Sequence, residues 1–261
     1  MPSPKIVVIT GGNTGIGYET VKALVQSDTA YRIFVGSRSL EKGKNAIATL
    51  RREFPQSSTR LEVLQVDVST DESIQALEVV KGKTEYIDVL INNAGSAFDL
   101  QYVRGKGSLR DCFNQAYNIN VTGANVMAHV FMPLLLKSSD PRLLFIAGLS
   151  QMSREYFPTP PQPAGWPKEI AFETIGYRCS KTALNMLMLD YNHKLKADGV
   201  KVWAVAPGFL ATNLGGVGPE FAKSKGAGEP RTGGTFIASV VEDERDEDSG
   251  KVIGRDGIVP W

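Results

Sequence analysis

The chain has 261 residues, with 29 Lys and Arg against 28 Asp and Glu, so its net charge of +1 offers no field to draw in nucleic acid or an anionic membrane. That length suits one α/β domain spanning residues 1–261 and buries a core without disulfide or metal staples. Two cysteines, Cys112 and Cys179, and two histidines exclude a disulfide-rich scaffold, a four-cysteine zinc site and a His-rich metal centre, so no metal is expected. Glycine is the outlier, at 26 residues.

The chain enters Lys5-Ile6-Val7-Val8-Ile9-Thr10 almost at once, an apolar β-branched run that reads as a buried parallel strand. It is too short for a secretory leader, and no stretch approaches the ~20 apolar residues of a membrane span. A cytoplasmic protein is expected. The strand runs into Thr10-Gly11-Gly12-Asn13-Thr14-Gly15-Ile16-Gly17, then a helical pattern (Ile16, Val21, Ala23, Leu24, Val25), then a second strand at Arg32–Val35. Strand, glycine loop, helix and strand in that order match the dinucleotide fingerprint, in which glycines let the backbone approach a pyrophosphate seated on a helix N-terminus. No Gly-Lys-Ser/Thr follows, which excludes a Walker A loop. Gly11, Asn13, Thr14, Gly15, Ile16 and Gly17 are therefore cofactor-binding candidates.

An acidic residue about 20 positions past these glycines marks preference for NAD. This chain has Gly36-Ser37-Arg38-Ser39 there. A guanidinium pairs with a 2′-phosphate through charge-assisted hydrogen bonds, and Ser37 adds a hydroxyl donor, so NADP(H) is the expected cofactor. The alternative is that Arg38 is a solvated residue opening the next helix.

Further strands are expected at Leu61–Val66, Ile87–Ile91, Leu143–Ile146 and Val200–Val205, with a last one at Lys251–Ile253. Ser69-Thr70-Asp71-Glu72 reads as a capping box opening a helix to Val80. Long helices are expected from Leu109 to Lys137 and from Ile175 to Ala197. Alternating elements of these lengths imply a Rossmann-type doubly wound parallel sheet with helices on both faces. Ligands bind at the carboxyl ends of such strands. The run Glu242–Asp248 reads as a solvated acidic surface. Met127, Phe131, Met132, Met186 and Met188 are either core or a subunit interface, leaving monomer and homodimer both open.

The spacing Thr-Gly-x-x-x-Gly-x-Gly resembles the short-chain dehydrogenase/reductases, in their short single-domain branch. By that resemblance Asp67 and Val68 are the adenine-contacting pair, and Asn92-Asn93-Ala94-Gly95 is the family motif lining the cofactor, with Asn93, Ala94 and Gly95 in contact. Tyr177-Arg178-Cys179-Ser180-Lys181 matches the family's Tyr-x-x-x-Lys. Four-residue spacing puts both side chains on one helix face. A nearby ammonium is expected to lower the tyrosine pKa from about 10. The resemblance makes Tyr177 the general acid, Lys181 its tuning partner and ribose contact, and Asn120 the anchor of a relay water. Pro207-Gly208-Phe209-Leu210-Ala211-Thr212 matches a family motif in which Pro207, Gly208, Leu210 and Thr212 meet the cofactor.

One departure stands out. The family's serine after the fifth strand falls on Gly148, and Ser150 comes two residues later. Ser150 is taken as the replacement, the alternative being that no serine serves. The long segment to Tyr177, rich in proline and holding Tyr156 and Trp166, either walls a substrate pocket or packs on the surface. Glycines from Leu214 to Gly234 suggest a closing lid. The chain looks most like fungal-type, carbonyl reductase-like members of the family. The implied activity is NADPH-dependent reduction of a ketone or aldehyde on a small apolar or aromatic substrate. The rivals are alcohol oxidation and a cofactor-binding protein of weak redox activity.

Overall fold

A computed structural model describes residues 3–71, 73–148, 163–166, 168 and 174–261, except for the side chains of 73–75. Strand β1 (Lys5–Ile9) sends Ile6 and Val8 into one core cluster and Val7 and Ile9 into another, across the sheet. Both faces are covered, which is why the strand reads as an unbroken apolar run rather than an alternating one. Strands β2 (Tyr31–Ser37), β3 (Arg60–Gln65), β4 (Val89–Asn92), β5 (Arg142–Ile146), β6 (Lys201–Ala206) and β7 (Val252–Gly254) join β1 in parallel, in the order β3-β2-β1-β4-β5-β6-β7. A two-residue strand, β8 (Gly257–Ile258), closes that edge antiparallel to β7. It is too short to leave a periodic signal. The order reverses between β1 and β4, and at such a switch point a crevice opens beyond the strand ends.

Helices α1 (Gly15–Val25) and α2 (Leu40–Glu53) cover one face through Leu24 and Leu50. Helix α3 (Ser73–Lys81) covers the other through Val80. A five-residue helix, α4 (Asp99–Val103), which the sequence reading missed, follows β4. The expected long helix from Leu109 divides into α5 (Leu109–Tyr117), a π-helical turn at Asn118–Gly123 and α6 (Ala124–Leu135). Next come α7 (Ile175–Leu195), α8 (Pro219–Ser224) and α9 (Pro230–Val241). Met127, Phe131 and Met188 are fully buried core, whereas Met186 on α7 is exposed.

Three expectations need correction. The helix after β3 starts at Ser73, so Ser69 does not cap it. The Ser69 hydroxyl instead donates to Asp67 Oδ1 at 2.7 Å, closing a turn. Glu72 lies outside the described residues. The acidic run is not merely solvated: Asp243 and Asp246 pair with Arg142 at 2.6 and 2.5 Å, and Arg142 is only 1% exposed. Lys201 joins Asp246 to Asp140 at 2.6 and 2.7 Å. The run thus ties the α9–β7 connection to the starts of β5 and β6. Finally, Gly233 and Gly234 do not loosen a lid. They lie inside α9, where a Cβ on Gly234 would overlap the Glu19 backbone. The bare Gly234 lets α9 lie directly on α1, while the bare Gly233 admits Leu210 and Pro207.

Candidate active site

The carboxyl ends of β1 to β6 frame one cleft of about 1030 Å³. The glycine loop forms its floor. Gly11 and Gly15 have φ of 62° and 56°, in the left-handed region that favours glycine. A Cβ on Gly17 would overlap both the Gly11 carbonyl oxygen and the Asn93 amide. The loop is clamped from the next strand. The Asn93 side chain donates to the carbonyls of Thr10 and Gly11 at 2.8 and 3.1 Å. The Thr10 hydroxyl in turn accepts from the Asn93 and Ala94 amides at 3.0 and 2.9 Å. Asn93 therefore shapes the loop in addition to lining the cleft, and Thr10 joins it in that task.

Above the loop stands the N-terminus of α1. Thr14 makes no side-chain cap there, and the first turn carries no acidic residue. The first N–H groups of a helix lack intrahelical partners, so this end is suited to an anion. Thr212 sits over it, its Cγ2 being 3.4 Å from where a Gly15 Cβ would stand.

All the residues expected to hold a cofactor line this one cleft: Gly11, Asn13, Thr14, Gly15, Ile16 and Gly17 below; Ser37, Arg38, Asp67 and Val68 at the β2–β3 end; Asn93, Ala94 and Gly95 beyond β4; and Tyr177, Lys181, Pro207, Gly208, Leu210 and Thr212 toward β5 and β6. Arg38 is exposed at the cleft wall, and Lys42, from the first turn of α2, joins it there. Lys42 was passed over in the sequence because nothing but its closeness to Arg38 marked it. The Ser37 hydroxyl is not a spare donor, since it donates to the Ser39 carbonyl at 2.8 Å.

At the other end α7 presents Tyr177 and Lys181 one turn apart. The Lys181 ammonium donates to the Ile146 carbonyl at 2.6 Å and lies 5.7 Å from the Tyr177 ring centroid. Burial dominates both groups. It pushes the Tyr177 phenol up to about 12 and the Lys181 ammonium down to about 8. The expected lowering of the phenol by the ammonium is thus reversed in direction: desolvation disfavours each charged form more than the pair favours it.

Asn120 lies in the π-helical turn, fully buried, and is not part of the cleft lining. Its Nδ2 donates to the Ser96 carbonyl at 2.8 Å and to the Ser180 hydroxyl at 2.9 Å, and its Oδ1 accepts from the Ser96 amide at 2.8 Å. The side chain therefore fastens the loop after β4 to α7. Gly148 stands where the sequence placed the missing serine. A Cβ there would be 2.9 Å from Lys181 Cγ and 3.5 Å from Tyr177 Cε1. Ser150 and Tyr156 lie outside the described residues. Trp166 is 87% exposed and is not among the residues lining the cleft.

The sequence reading also missed Asp99, at the start of α4. It is 6% exposed and accepts from the backbone amides of Gly176 and Tyr177 at 2.6 and 3.1 Å. No local signal links it to residues 77 and 78 positions away.

Residues 5–159 match the family model described as short chain dehydrogenase. The short-chain dehydrogenase/reductase tropE of Talaromyces stipitatus is 45% identical over 264 residues, covering 98% of this chain and 97% of the relative. The short-chain dehydrogenase/reductase eupG of a Phoma species is 38% identical over 274 residues, covering 99% and 98%. The fold also superposes on the NADPH-bound carbonyl reductase from chicken fatty liver with a TM-score of 0.78, over 100% of both chains at 21% identity. With its glycine loop, Asn-Asn-Ala-Gly segment and Tyr-x-x-x-Lys pair around one cleft, the chain belongs to the short-chain dehydrogenase/reductase family of NAD(P)-dependent oxidoreductases.

Proposed function

We propose that this oxidoreductase, acting as one domain over residues 1–261, uses NADPH to reduce the ketone or aldehyde group of a small, mainly apolar or aromatic molecule. The carrying observation is that Tyr177 and Lys181, one turn apart on α7, share one cleft with the glycine loop and the uncapped N-terminus of α1. The residues fit a nicotinamide dinucleotide. The glycine loop, α1 and Thr212 take its pyrophosphate, Asp67 and Val68 its adenine; Asn93 to Gly95 line the cofactor, and Pro207, Gly208 and Leu210 meet its nicotinamide half. Arg38 and Lys42 supply two cations at the β2–β3 end, which suits a 2′-phosphate. When bound, the cofactor supplies the hydride.

The protein supplies the proton. As the carbonyl carbon gains hydride, its oxygen takes the phenolic proton of Tyr177 and becomes a hydroxyl. Lys181 stabilises the resulting phenolate, which regains a proton from solvent. A raised pKa keeps Tyr177 in the protonated form that reduction requires, and attraction between the Lys181 ammonium and the forming phenolate offsets the weakness of so buried a phenol as an acid. Ser150 is assigned as the second hydrogen-bond donor to the carbonyl, because Gly148 has no hydroxyl. The substrate end is lined by Phe98, Leu100, Phe209, Leu214, Val217 and Phe221, which suits an apolar or aromatic body. The Leu214–Gly218 segment acts as the lid: Gly215 lies against Ala97, and Gly215, Gly216 and Gly218 turn at φ of 68°, 71° and 83°.

A panel of aromatic and aliphatic carbonyls with NADPH, followed at the nicotinamide absorbance, tests this. Tyr177→Phe is expected to lower kcat by about 10² to 10⁴. Full activity in that variant would refute the proton path. Gly148 favours one second reading, a cofactor-binding protein with little redox activity, and tight NADPH binding with no turnover across the panel would select it.

A further inference from the structure

We infer that Asp99 is a positioning residue for the general acid, capping the helix that carries Tyr177 from a different part of the chain. This inference rests on the proton role proposed above for Tyr177. Helix α7 begins at Ile175, and the side chain of Thr174, at its cap position, does not make the capping hydrogen bond. Gly176 and Tyr177 are the second and third helical residues, and their N–H groups are those that a cap normally satisfies. Here both donate to one carboxylate, that of Asp99, to Oδ1 at 2.6 Å and Oδ2 at 3.1 Å.

The approach is built in on both sides. A Cβ on Gly176 would stand 2.9 Å from Asp99 Oδ1 and 3.2 Å from Phe113 Cδ2, so a bare residue lets α4 and α5 close on the start of α7. Asp99 is 6% exposed, so its bonds are sheltered from water, and its charge lies at the positive end of the helix. Charge-assisted bonds of this kind are about twice as strong as neutral ones.

The consequence is functional because of what else α4 and α7 do. Ser96 to Leu100 form part of the cleft wall toward the substrate end. The Asn120 side chain ties Ser96 to Ser180 on α7, and the Ser180 hydroxyl donates to the Tyr177 carbonyl at 2.7 Å. Asp99 adds a second tie between the same two segments, at the tyrosine's own amide. It fixes the backbone from which the phenol projects, and with it the angle at which the proton meets the carbonyl. A misplacement of about 1 Å costs on the order of 10²-fold in rate.

The experiment compares wild type, Asp99→Asn and Asp99→Ala by three readouts. The first is hydrogen exchange of the Gly176 and Tyr177 amides by NMR, which needs no substrate. Both amides are expected to be protected in wild type, partly protected in the Asn variant and exposed in the Ala variant. The second is kcat for carbonyl reduction, expected to fall at least 10-fold in Asp99→Ala and to recover in part in Asp99→Asn. The third is the Kd for NADPH, expected to stay within twofold throughout. Unprotected amides in wild type would overturn the inference, as would a kcat within twofold of wild type in Asp99→Ala. A parallel loss of NADPH binding would reduce Asp99 to a structural residue and also overturn it. Asp99→Asn is close in shape to the native residue and carries the test if the Ala variant does not fold. If wild type reduces no carbonyl, the proposed function fails, while the exchange readout still decides the cap.

Discussion

Replacing Arg38 with aspartate exchanges the cation at the β2–β3 end of the cleft for the acid typical of NAD-preferring folds. Two changes add. The variant loses a charge-assisted hydrogen bond to the 2′-phosphate, worth about 1.5 kcal/mol at this site, the low end of the usual range because Arg38 is exposed. It also gains a carboxylate beside a dianion, a repulsion of about 1 kcal/mol per phosphate charge at the dielectric of water that physiological salt screens to about 1 kcal/mol in all. The sum of about 2.5 kcal/mol corresponds to about a 70-fold rise in the Kd for NADPH. Lys42 remains in the wall and keeps the loss from being complete. NADH lacks the phosphate, so its Kd is expected to move by less than about threefold. Titration of cofactor fluorescence gives both constants, and kcat/KM with each cofactor provides an independent ratio. Added salt is expected to weaken NADPH binding in wild type more than in the variant. An NADPH-to-NADH preference that changes by less than threefold would show that Arg38 is only a solvated residue at the start of α2, and the cofactor assignment would lose its main support.

The charge network under the sheet makes stability depend on acid. Hydrogen bonds and ion pairs to Lys201 and Arg142 outweigh burial, hold Asp140 at about 2 and lower Asp246 as well. Carboxylates whose folded pKa is depressed contribute stability that is complete above their unfolded value of about 4 and is lost as pH falls toward 2. Thermal melts are therefore expected to show Tm dropping steeply between pH 4 and pH 2, with a shallower drop in Asp246→Asn. At pH 7 that substitution is expected to cost about 1–2 kcal/mol, because Arg142 keeps Asp140 and Asp243. An unchanged Tm at pH 7 would mean that the network contributes nothing. Gly234→Ala is expected to push α9 off α1, since the new Cβ meets backbone that cannot rotate away, at a cost of about 1–3 kcal/mol. Calorimetry reads this directly, and a Tm within 1 °C of wild type would contradict the close approach.

Much of the site was legible because its signals are local. The glycine loop needs particular residue types at particular spacings to turn and to let Asn93 approach, and those spacings survive in one dimension. Tyr177 and Lys181 share a face by helical geometry alone. The strands announced themselves through apolar runs, since a strand covered on both sides has little freedom to be polar. The errors were of another kind. Glu242–Asp248 looked solvated because an acidic run carries no mark of the buried Arg142, whose partner Asp246 is 104 residues away. Gly233 and Gly234 looked loose because a glycine that loosens a loop and one that admits a neighbouring helix are the same letter. The capping box misled because the helix starts only at Ser73, and the Ser69 hydroxyl serves the turn before it by donating to Asp67.

The sequence by itself determined the doubly wound sheet, the glycine-lined cleft at its strand ends and the Tyr177 and Lys181 pair that shares it. Backbone turns, helical spacing and the burial of both sheet faces are encoded within a few residues of each other. Only the tertiary structure decided what those residues experience. Burial, not the neighbouring ammonium, sets the direction in which the Tyr177 pKa moves. Docking of α4 against α7 brings the Asp99 carboxylate to the tyrosine's amide across 78 residues of chain. Both outcomes depend on which surfaces meet when helices settle on the sheet, and on how much water that contact excludes. Neither quantity is written in any short stretch of sequence.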